Sequence, residues 1–123
     1  VSRNPKSNSK SVTDFYDRYG ETKKKMDTLK LLVKRAGNSN EWEAYFQGLE
    51  VNEFAQLDGV KEGLTNISNY IYNINEDRQY SPREKRQLID GQYYMMTEIA
   101  KQSNEALDEL DKEIEKAKKQ LKE

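Results

Sequence analysis

The chain has 123 residues, the size of one ordinary domain, and 34% of them are hydrophobic while 35% are charged. Globular domains typically hold about 45–50% apolar and about 25% charged residues, so this composition favours long helices that each need only one apolar stripe. The net charge of −1 excludes a general attraction to nucleic acid or anionic membrane, and the periodic apolar residues argue against disorder.

The first eleven residues predict a flexible linker or arm. They are rich in Ser, Asn and Lys, contain Pro5 and show no apolar period. The chain also begins at Val1 rather than Met, so we expect a processed product or a piece of a longer chain; a trimmed chain is the alternative. The remaining residues, 12–123, are predicted to form a three-helix module.

Helix one is predicted over residues 13–36, with Thr13 as its N-cap. Its apolar or permissive positions recur at alternating steps of four and three, which is the spacing of a coiled-coil seam: Phe15, Tyr19, Thr22, Met26, Leu29, Val33 and Ala36. Gly37 follows and is predicted to end the helix, because glycine readily adopts the positive φ of a helix C-terminus.

Helix two is predicted over residues 40–76, with Asn40 as its N-cap and Glu43 at the spacing of a capping box. One apolar face near Trp42 and a second run from Leu57 to Ile74 are out of phase with each other. The slip between Leu49 and Gly59 predicts a kink or a short break. We favour one long bent helix over two helices, because no proline interrupts the segment.

Helix three is predicted over residues 82–121. Ser81 is placed as its N-cap, Pro82 at the first helical position and Glu84 where its carboxylate can reach back to the Ser81 amide. A four–three seam then runs from Ile89 to Leu121. Together these patterns predict an all-α fold, an elongated antiparallel three-helix bundle with heptad-like seams.

Contact with another protein chain is the function that this geometry suggests. Helix three would be about 60 Å long and helix one about 36 Å, so we expect the C-terminal turns of helix three to project beyond helix one. Tyrosines cluster near the second turn, where they either fill the wide end of the core or contact a partner. The candidate contact residues are Tyr72, Tyr80, Tyr94, Leu110, Ile114 and Leu121.

Catalytic chemistry finds no support in the sequence. Cysteine and histidine are both absent, which removes the commonest general base at neutral pH and the usual ligands of transition metals. The sequence has no phosphate-binding glycine loop, no calcium-loop pattern and no apolar run near the roughly 18 residues of a membrane span. We therefore expect no enzyme activity, no cofactor, no metal, no specific nucleic acid and no membrane span.

One stretch carries a family resemblance. Residues 67–71 end a helix as Ile-Ser-Asn-Tyr-Ile, and residues 77–90 read Asp-Arg-Gln-Tyr-Ser-Pro-Arg-Glu-Lys-Arg-Gln-Leu-Ile-Asp. With the upstream Thr-Asp-Phe-Tyr of residues 13–16 and the charged end of residues 118–123, this order resembles the helical C-terminal domain of large polyvalent proteins of phages and mobile elements. That family includes internal virion proteins ejected with the genome. The resemblance covers about residues 12–115.

This resemblance implies a non-catalytic assembly module, the C-terminal part of a phage structural or ejected virion protein. Its partners would be other virion proteins or further copies of itself, and its location the virion. The alternative is an extracytoplasmic helical component of a conjugation or secretion apparatus. A regulatory module bound to DNA would need a basic helix that reads a groove, and none is visible.

Overall fold

The computed structural model describes the backbone of residues 5–122 and the side chains of residues 10–121. Four α-helices and one π-helical segment account for 93% of it, and this part of the chain contains no strand. The elements are α1 (Pro5–Arg35), α2 (Ser39–Gly48), the π-helical segment (Leu49–Phe54), α3 (Ala55–Glu76) and α4 (Pro82–Lys122). Because α2, the π segment and α3 run on without a break as one helix of 38 residues, the predicted all-α bundle of three helices is confirmed.

Helices α1 and α4 run parallel to each other and form the most extensive packing in the molecule. The Asn104 amide donates to the Ser11 carbonyl at 3.3 Å, and the Thr22 hydroxyl donates to the Asp111 carboxylate at 2.7 Å. Moving forward along α1 therefore means moving forward along α4. This is the order that an up–down–up path of three helices requires.

The long central helix runs antiparallel to α1. The Tyr16 hydroxyl lies 3.2 Å from the Thr65 hydroxyl near the start of α1, and Lys30 pairs with Glu50 near its end. Charge supports this alignment, since residues 18–35 carry seven basic and two acidic side chains while residues 41–62 carry six acidic and one basic. Opposite charges thus face each other across the α1 boundary.

The core follows the predicted seams. Six of the seven seam positions of helix one are buried, and on α4 every seam residue from Met96 to Ala117 is buried. The exception on helix one is Ala36, which lies beyond the last residue of α1 and is exposed. The largest fully buried side chains are Phe15, Leu29, Leu64, Leu107, Ile114, Val33 and Thr22.

The expected linker over residues 1–11 needs correction. Helix α1 begins at Pro5, eight residues before the predicted N-cap Thr13, so residues 5–11 belong to the helical module; residues 1–4 lie outside the described part. Proline suits the first turn of a helix because its missing N–H has no intrahelical partner there. Val12 is buried three positions before Phe15, which extends the α1 seam by one step.

The turn between α1 and α2 contains the predicted Gly37 but not the predicted cap at Asn40. Gly37 has φ 77°, its amide donates to the Lys34 carbonyl, and the Asn38 amide donates to the Val33 carbonyl. These two bonds form a Schellman motif, which satisfies carbonyls at the helix end. Asn38 is the N-cap of α2 and makes no capping bond through its side chain, because the tight turn brings the chain into helix at Ser39.

The predicted phase slip coincides with the π-helical segment. Leu49 and Phe54 are both buried although they are five positions apart, whereas an α-helical seam advances by three or four positions. A π-helix bonds residue i to residue i+5, and the Ala55 amide donates to the Glu50 carbonyl in this way. The wider turn realigns the two apolar runs, so the helix continues instead of breaking.

The turn into α4 has the reciprocal capping bonds that the sequence predicts. The Glu84 amide donates to the Ser81 hydroxyl at 3.2 Å, and the Ser81 amide donates to the Glu84 carboxylate at 3.3 Å. Pro82 is the first residue of the helix. This capping box of Ser81 and Glu84 fixes where α4 begins, and so sets the length of the α3–α4 hairpin.

We predict that Ser81→Ala lowers the free energy of unfolding by about 0.5–2 kcal/mol, because the first turn of α4 loses an acceptor for its amide donors. Urea denaturation followed by circular dichroism measures the change. Ser68→Ala, an exposed helical serine on α3, is the matched control. Equal midpoints for the two variants would show that the box contributes nothing.

A buried polar contact fixes how α1 is aligned with α4. Thr22 occupies a seam position and is fully buried, and its hydroxyl donates to Asp111. The other carboxylate oxygen of Asp111 lies 3.7 Å from the Lys25 ammonium. Arg18 pairs with Asp108 one turn earlier. A polar residue at a seam position selects one alignment, because other alignments leave it buried without a partner.

We predict an asymmetry between the two partners of this contact. Asp111→Ala leaves the buried Thr22 hydroxyl without its acceptor and should cost about 1–3 kcal/mol of unfolding free energy. Thr22→Val removes the donor but leaves Asp111 with Lys25 and solvent, so it should cost less than about 1 kcal/mol. Denaturant unfolding of both variants and of the double variant measures the coupling. Equal losses in the two single variants would contradict the proposed role of Thr22.

Candidate protein-interaction surface

The part of α4 that extends beyond α1 is its N-terminal half. Taking the contact between Ser11 and Asn104 as the reference, α4 continues about 33 Å towards Pro82, whereas α1 continues about 9 Å to Pro5. The expectation that the C-terminal turns of helix three project is therefore wrong. The C-terminal turns do not project because α1 and α4 are parallel, so the C-terminal ends of both helices lie at the same end of the bundle.

Two of the candidate contact residues on the C-terminal seam lie inside the molecule. Leu110 and Ile114 are 3% and 1% exposed and belong to the main hydrophobic cluster, and Leu121 is half-buried against it. These side chains complete the internal packing of the bundle. Leu110 and Ile114 are therefore core residues and not partner contacts.

The three tyrosine candidates differ in how far they are exposed. Tyr72 is 65% exposed and Tyr94 51% exposed, while Tyr80 is half-buried in the turn before α4. Tyr72 and Tyr94 thus lie at the surface of the α3–α4 hairpin, and Tyr80 is only partly exposed. Contact of Tyr72 and Tyr94 with a partner stays a prediction.

Tyr70 and Met95 are also large and exposed on this hairpin, although neither is among the candidate contact residues predicted from the sequence. The signal that would have found them is the absence of charge. Residues 63–75 contain no charged side chain, and residues 87–97 contain only Asp90, in a chain that is 35% charged. We call these two ranges together the charge-poor hairpin.

Uncharged polar residues cover the rest of this surface. Within residues 63–75 the exposed positions are filled by Thr, Asn, Ser and Tyr: Thr65, Asn66, Ser68, Asn69, Tyr70, Tyr72, Asn73 and Asn75. Asn, Ser and Thr are weaker helix formers than Lys, Glu or Gln, which would be the stabilising choice for a solvent-facing helix. The composition is therefore costly for helix stability and resembles that of protein-binding surfaces.

The charge-poor hairpin has one side that faces α1 and one side that is turned away from it. Each residue of a helix is rotated by about 100° from the one before, so the spacing from a residue that contacts α1 shows on which side a residue lies. Thr65 contacts α1, and Tyr72 lies seven residues further on the same face of α3, whereas Tyr70 is rotated from Thr65 by about 140°. On α4, Met95 lies nine residues before Asn104, half a turn away from the face that contacts α1. Tyr70 and Met95 thus share the side of the hairpin that is turned away from α1.

A second aromatic cluster lies at the opposite end of the bundle, where Trp42 and Tyr45 pack edge to face at 5.4 Å. A cleft of about 370 Å³ beside them is also lined by Glu113 and Lys116. The Tyr45 hydroxyl is buried without a hydrogen-bond partner among the described residues. Burial, and secondly the charges of Glu113 and Glu53, raise the pKa of Tyr45, so its phenol stays neutral. The rings mainly close this end of the core.

Comparisons of the chain with protein-family models, with curated proteins and with solved structures find no match. Between residues 5 and 122, no three acidic side chains converge to hold a metal ion. None of the helices described here combines the length and apolar character needed to cross a bilayer. The charge-poor hairpin is the candidate site, on the basis of its exposed side chains and its composition.

We predict that Tyr72→Ala changes the free energy of unfolding by less than about 0.5 kcal/mol, because this ring lies largely outside the core. Tyr19→Ala is the contrasting variant: its ring is 3% exposed, and its loss should cost about 3–5 kcal/mol. Denaturant unfolding measures both. A large decrease in the free energy of unfolding of the Tyr72→Ala variant would show that the ring stabilises the fold and is not a surface residue available to a partner.

Proposed function

We propose that this chain is a non-catalytic helical assembly module that binds other protein chains through the charge-poor hairpin. One observation carries the proposal: large aromatic and sulfur-containing side chains are exposed on a surface from which charge is almost absent. Tyr72 and Met95 are 65% and 48% exposed there.

The chemistry of protein interfaces supports this function. Charged residues are depleted at the centre of interfaces because burying an unpaired charge is costly, whereas tyrosine and methionine are enriched. Tyrosine buries a large rigid ring at a low cost in side-chain entropy and keeps a hydroxyl for hydrogen bonding. A hairpin of this composition suits a partner surface that is likewise mostly uncharged.

The proposed setting is a phage particle, with the chain as a module of a structural or ejected virion protein. The support is the resemblance of the segment from Asp77 to Asp90, whose Ser-Pro-x-Glu helix start has the cap geometry in the structure. The alternative setting is a conjugation or secretion apparatus outside the cytoplasm. Both settings use the same property, a long helical module that exposes the charge-poor hairpin.

Photo-crosslinking tests the proposal. With a photoreactive phenylalanine in place of Tyr72, illumination of the source cells should give covalent adducts to specific proteins. The same replacement at Val51, which is 64% exposed on the π segment, is the control for chance encounters. Identification of the adducts as virion components supports the phage setting, and secretion components support the alternative. Adducts no more abundant than those at Val51 would contradict the interaction function.

A further inference from the structure

We propose that the cleft beside Trp42 and Tyr45 binds a methylated ammonium group, whose methyl groups contact the two rings while its charge faces Glu113. We call this site the aromatic cleft; its lining residues are Trp42, Tyr45, Glu113, Lys116, Ala117 and Gln120. It lies at the end of the bundle opposite the charge-poor hairpin. The inference therefore goes beyond the proposed function and does not depend on it.

Two aromatic rings form walls of the aromatic cleft. Trp42 and Tyr45 are three residues apart on α2, which places them on the same side of the helix. Their centroids are 5.4 Å apart and their planes lie at 89° to each other. Phe46 packs on both rings, with its centroid 5.9 Å from that of Trp42 and 5.7 Å from that of Tyr45. Rings at right angles form a corner that suits an organic cation, because the face of each ring is negative.

Negative charge lies beside these rings. Glu113 lines the cleft, and its carboxylate makes no ion pair among the described residues. Burial raises the pKa of Tyr45 most, and the charges of Glu113 and Glu53 raise it further, so both carboxylates act on this ring. Lys116 also lines the cleft and opposes them, but its exposed side chain can turn its ammonium towards solvent. A cation in the corner is thus attracted by two carboxylates and repelled by one ammonium.

Packing alone does not account for Tyr45. Its hydroxyl is buried and has no hydrogen-bond partner among the described residues. An unsatisfied buried hydroxyl lowers stability, and a phenylalanine, like the neighbouring Phe46, would fill the same place without this cost. Residues that are unfavourable for the fold are expected at functional sites.

The chemistry of the lining selects a methylated ammonium among the cations. A primary ammonium and a guanidinium have several N–H donors that need acceptors when they leave water, whereas a quaternary ammonium has none. Of the described lining residues, only Glu113 carries a carboxylate, while a calcium ion requires about six to eight oxygen ligands. The two rings and the Ala117 methyl group suit methyl groups on the ligand.

The aromatic cleft has room for such a group. Its volume of about 370 Å³ lies within the range of about 300–1,000 Å³ found for small-molecule sites. Glu113, Lys116 and Gln120 are exposed, so solvent and salt screen the charges at its rim. We therefore expect binding with a Kd in the millimolar range.

Trp42 is the only tryptophan in the chain, so its fluorescence reports directly on the aromatic cleft. At constant ionic strength, choline should change the emission saturably, with a millimolar Kd. Dimethylbutanol, the uncharged analogue in which a carbon atom replaces the ammonium nitrogen, should bind at least about tenfold more weakly. Equal binding of the two compounds, or an emission change that does not saturate with choline, would overturn the proposal.

Three exposed side chains of α4 provide the charge variants. Glu113→Gln should weaken choline binding about two- to fivefold, and Lys116→Gln should strengthen it by a similar factor, because the first removes an attracting charge and the second a repelling one. Glu115→Gln is the matched control, since Glu115 does not line the cleft, and it should leave the Kd unchanged. Circular dichroism checks that each variant stays helical. Shifts of the Kd in the same direction for Glu113→Gln and Lys116→Gln, or no shift in either, would contradict the proposal.

Methylated ammonium groups occur in free small molecules and on modified lysine side chains, and further probes distinguish these sources. The amide of acetylated trimethyllysine carries the group on a side chain. Tighter binding of this probe than of choline assigns the site to a protein side chain, and weaker binding assigns it to a small molecule. The amide of acetylated lysine is the control for methylation. If it binds as tightly as the trimethylated form, the ligand is not a methylated ammonium and the proposal fails.

Discussion

Burial of the α1 seam against α4 is the interaction on which the rest of this structure depends. The two helices are distant in sequence and parallel in space, and their seams supply most of the fully buried side chains. The hydrogen bond from Thr22 to Asp111 lies within this contact and makes one alignment better than its neighbours. Once α1 is fixed on α4, the central helix can only lie antiparallel to both, and the acidic residues 41–62 then face the basic half of α1.

That alignment also explains why the exposed uncharged surface lies where it does. With the C-terminal ends of α1 and α4 at the same end of the bundle, the excess length of α4 falls at its N-terminal end, next to the α3–α4 turn. The Ser81 cap sets the position of that turn, and α1 covers little of the hairpin beyond it. The proposed partner surface thus results from unequal helix lengths combined with one fixed alignment.

Much of the fold could be predicted from the sequence, because seams and caps are local signals. Phe15 to Val33 on α1 and Met96 to Ala117 on α4 are buried as their spacing indicates. The start of α1 was missed because Ser, Asn and Lys between residues 6 and 11 carry little apolar pattern and only Val12 extends the seam. The lengthwise alignment was missed because a heptad pattern repeats and does not say which turn of one helix meets which turn of another. It is decided by sparse polar contacts such as that of Thr22, which cannot be paired from sequence.

For the candidate site, the residues were harder to predict than its location. Tyrosines near the second turn were expected, but the sequence does not say how far each ring is exposed: Tyr80 is half-buried and Tyr72 is exposed. Apolar residues at Leu110 and Ile114 suggested a partner because the sequence does not show what already covers them. The lack of charge in residues 63–75 was the more informative signal, since it does not depend on knowing which face is buried.

The π-helical segment has a consequence for sequence length. Between the two apolar runs of the central helix, the step from Leu49 to Phe54 is one residue longer than the four-residue step of an ordinary seam. The backbone accommodates this surplus residue by widening one turn, and the exposed Val51 lies within that turn. Loss of one residue here would bring both runs into a single α-helical register, whereas loss of one residue elsewhere in the helix would rotate one run away from the core by about 100°. The segment from Leu49 to Phe54 is therefore the place where the length of this helix is adjustable.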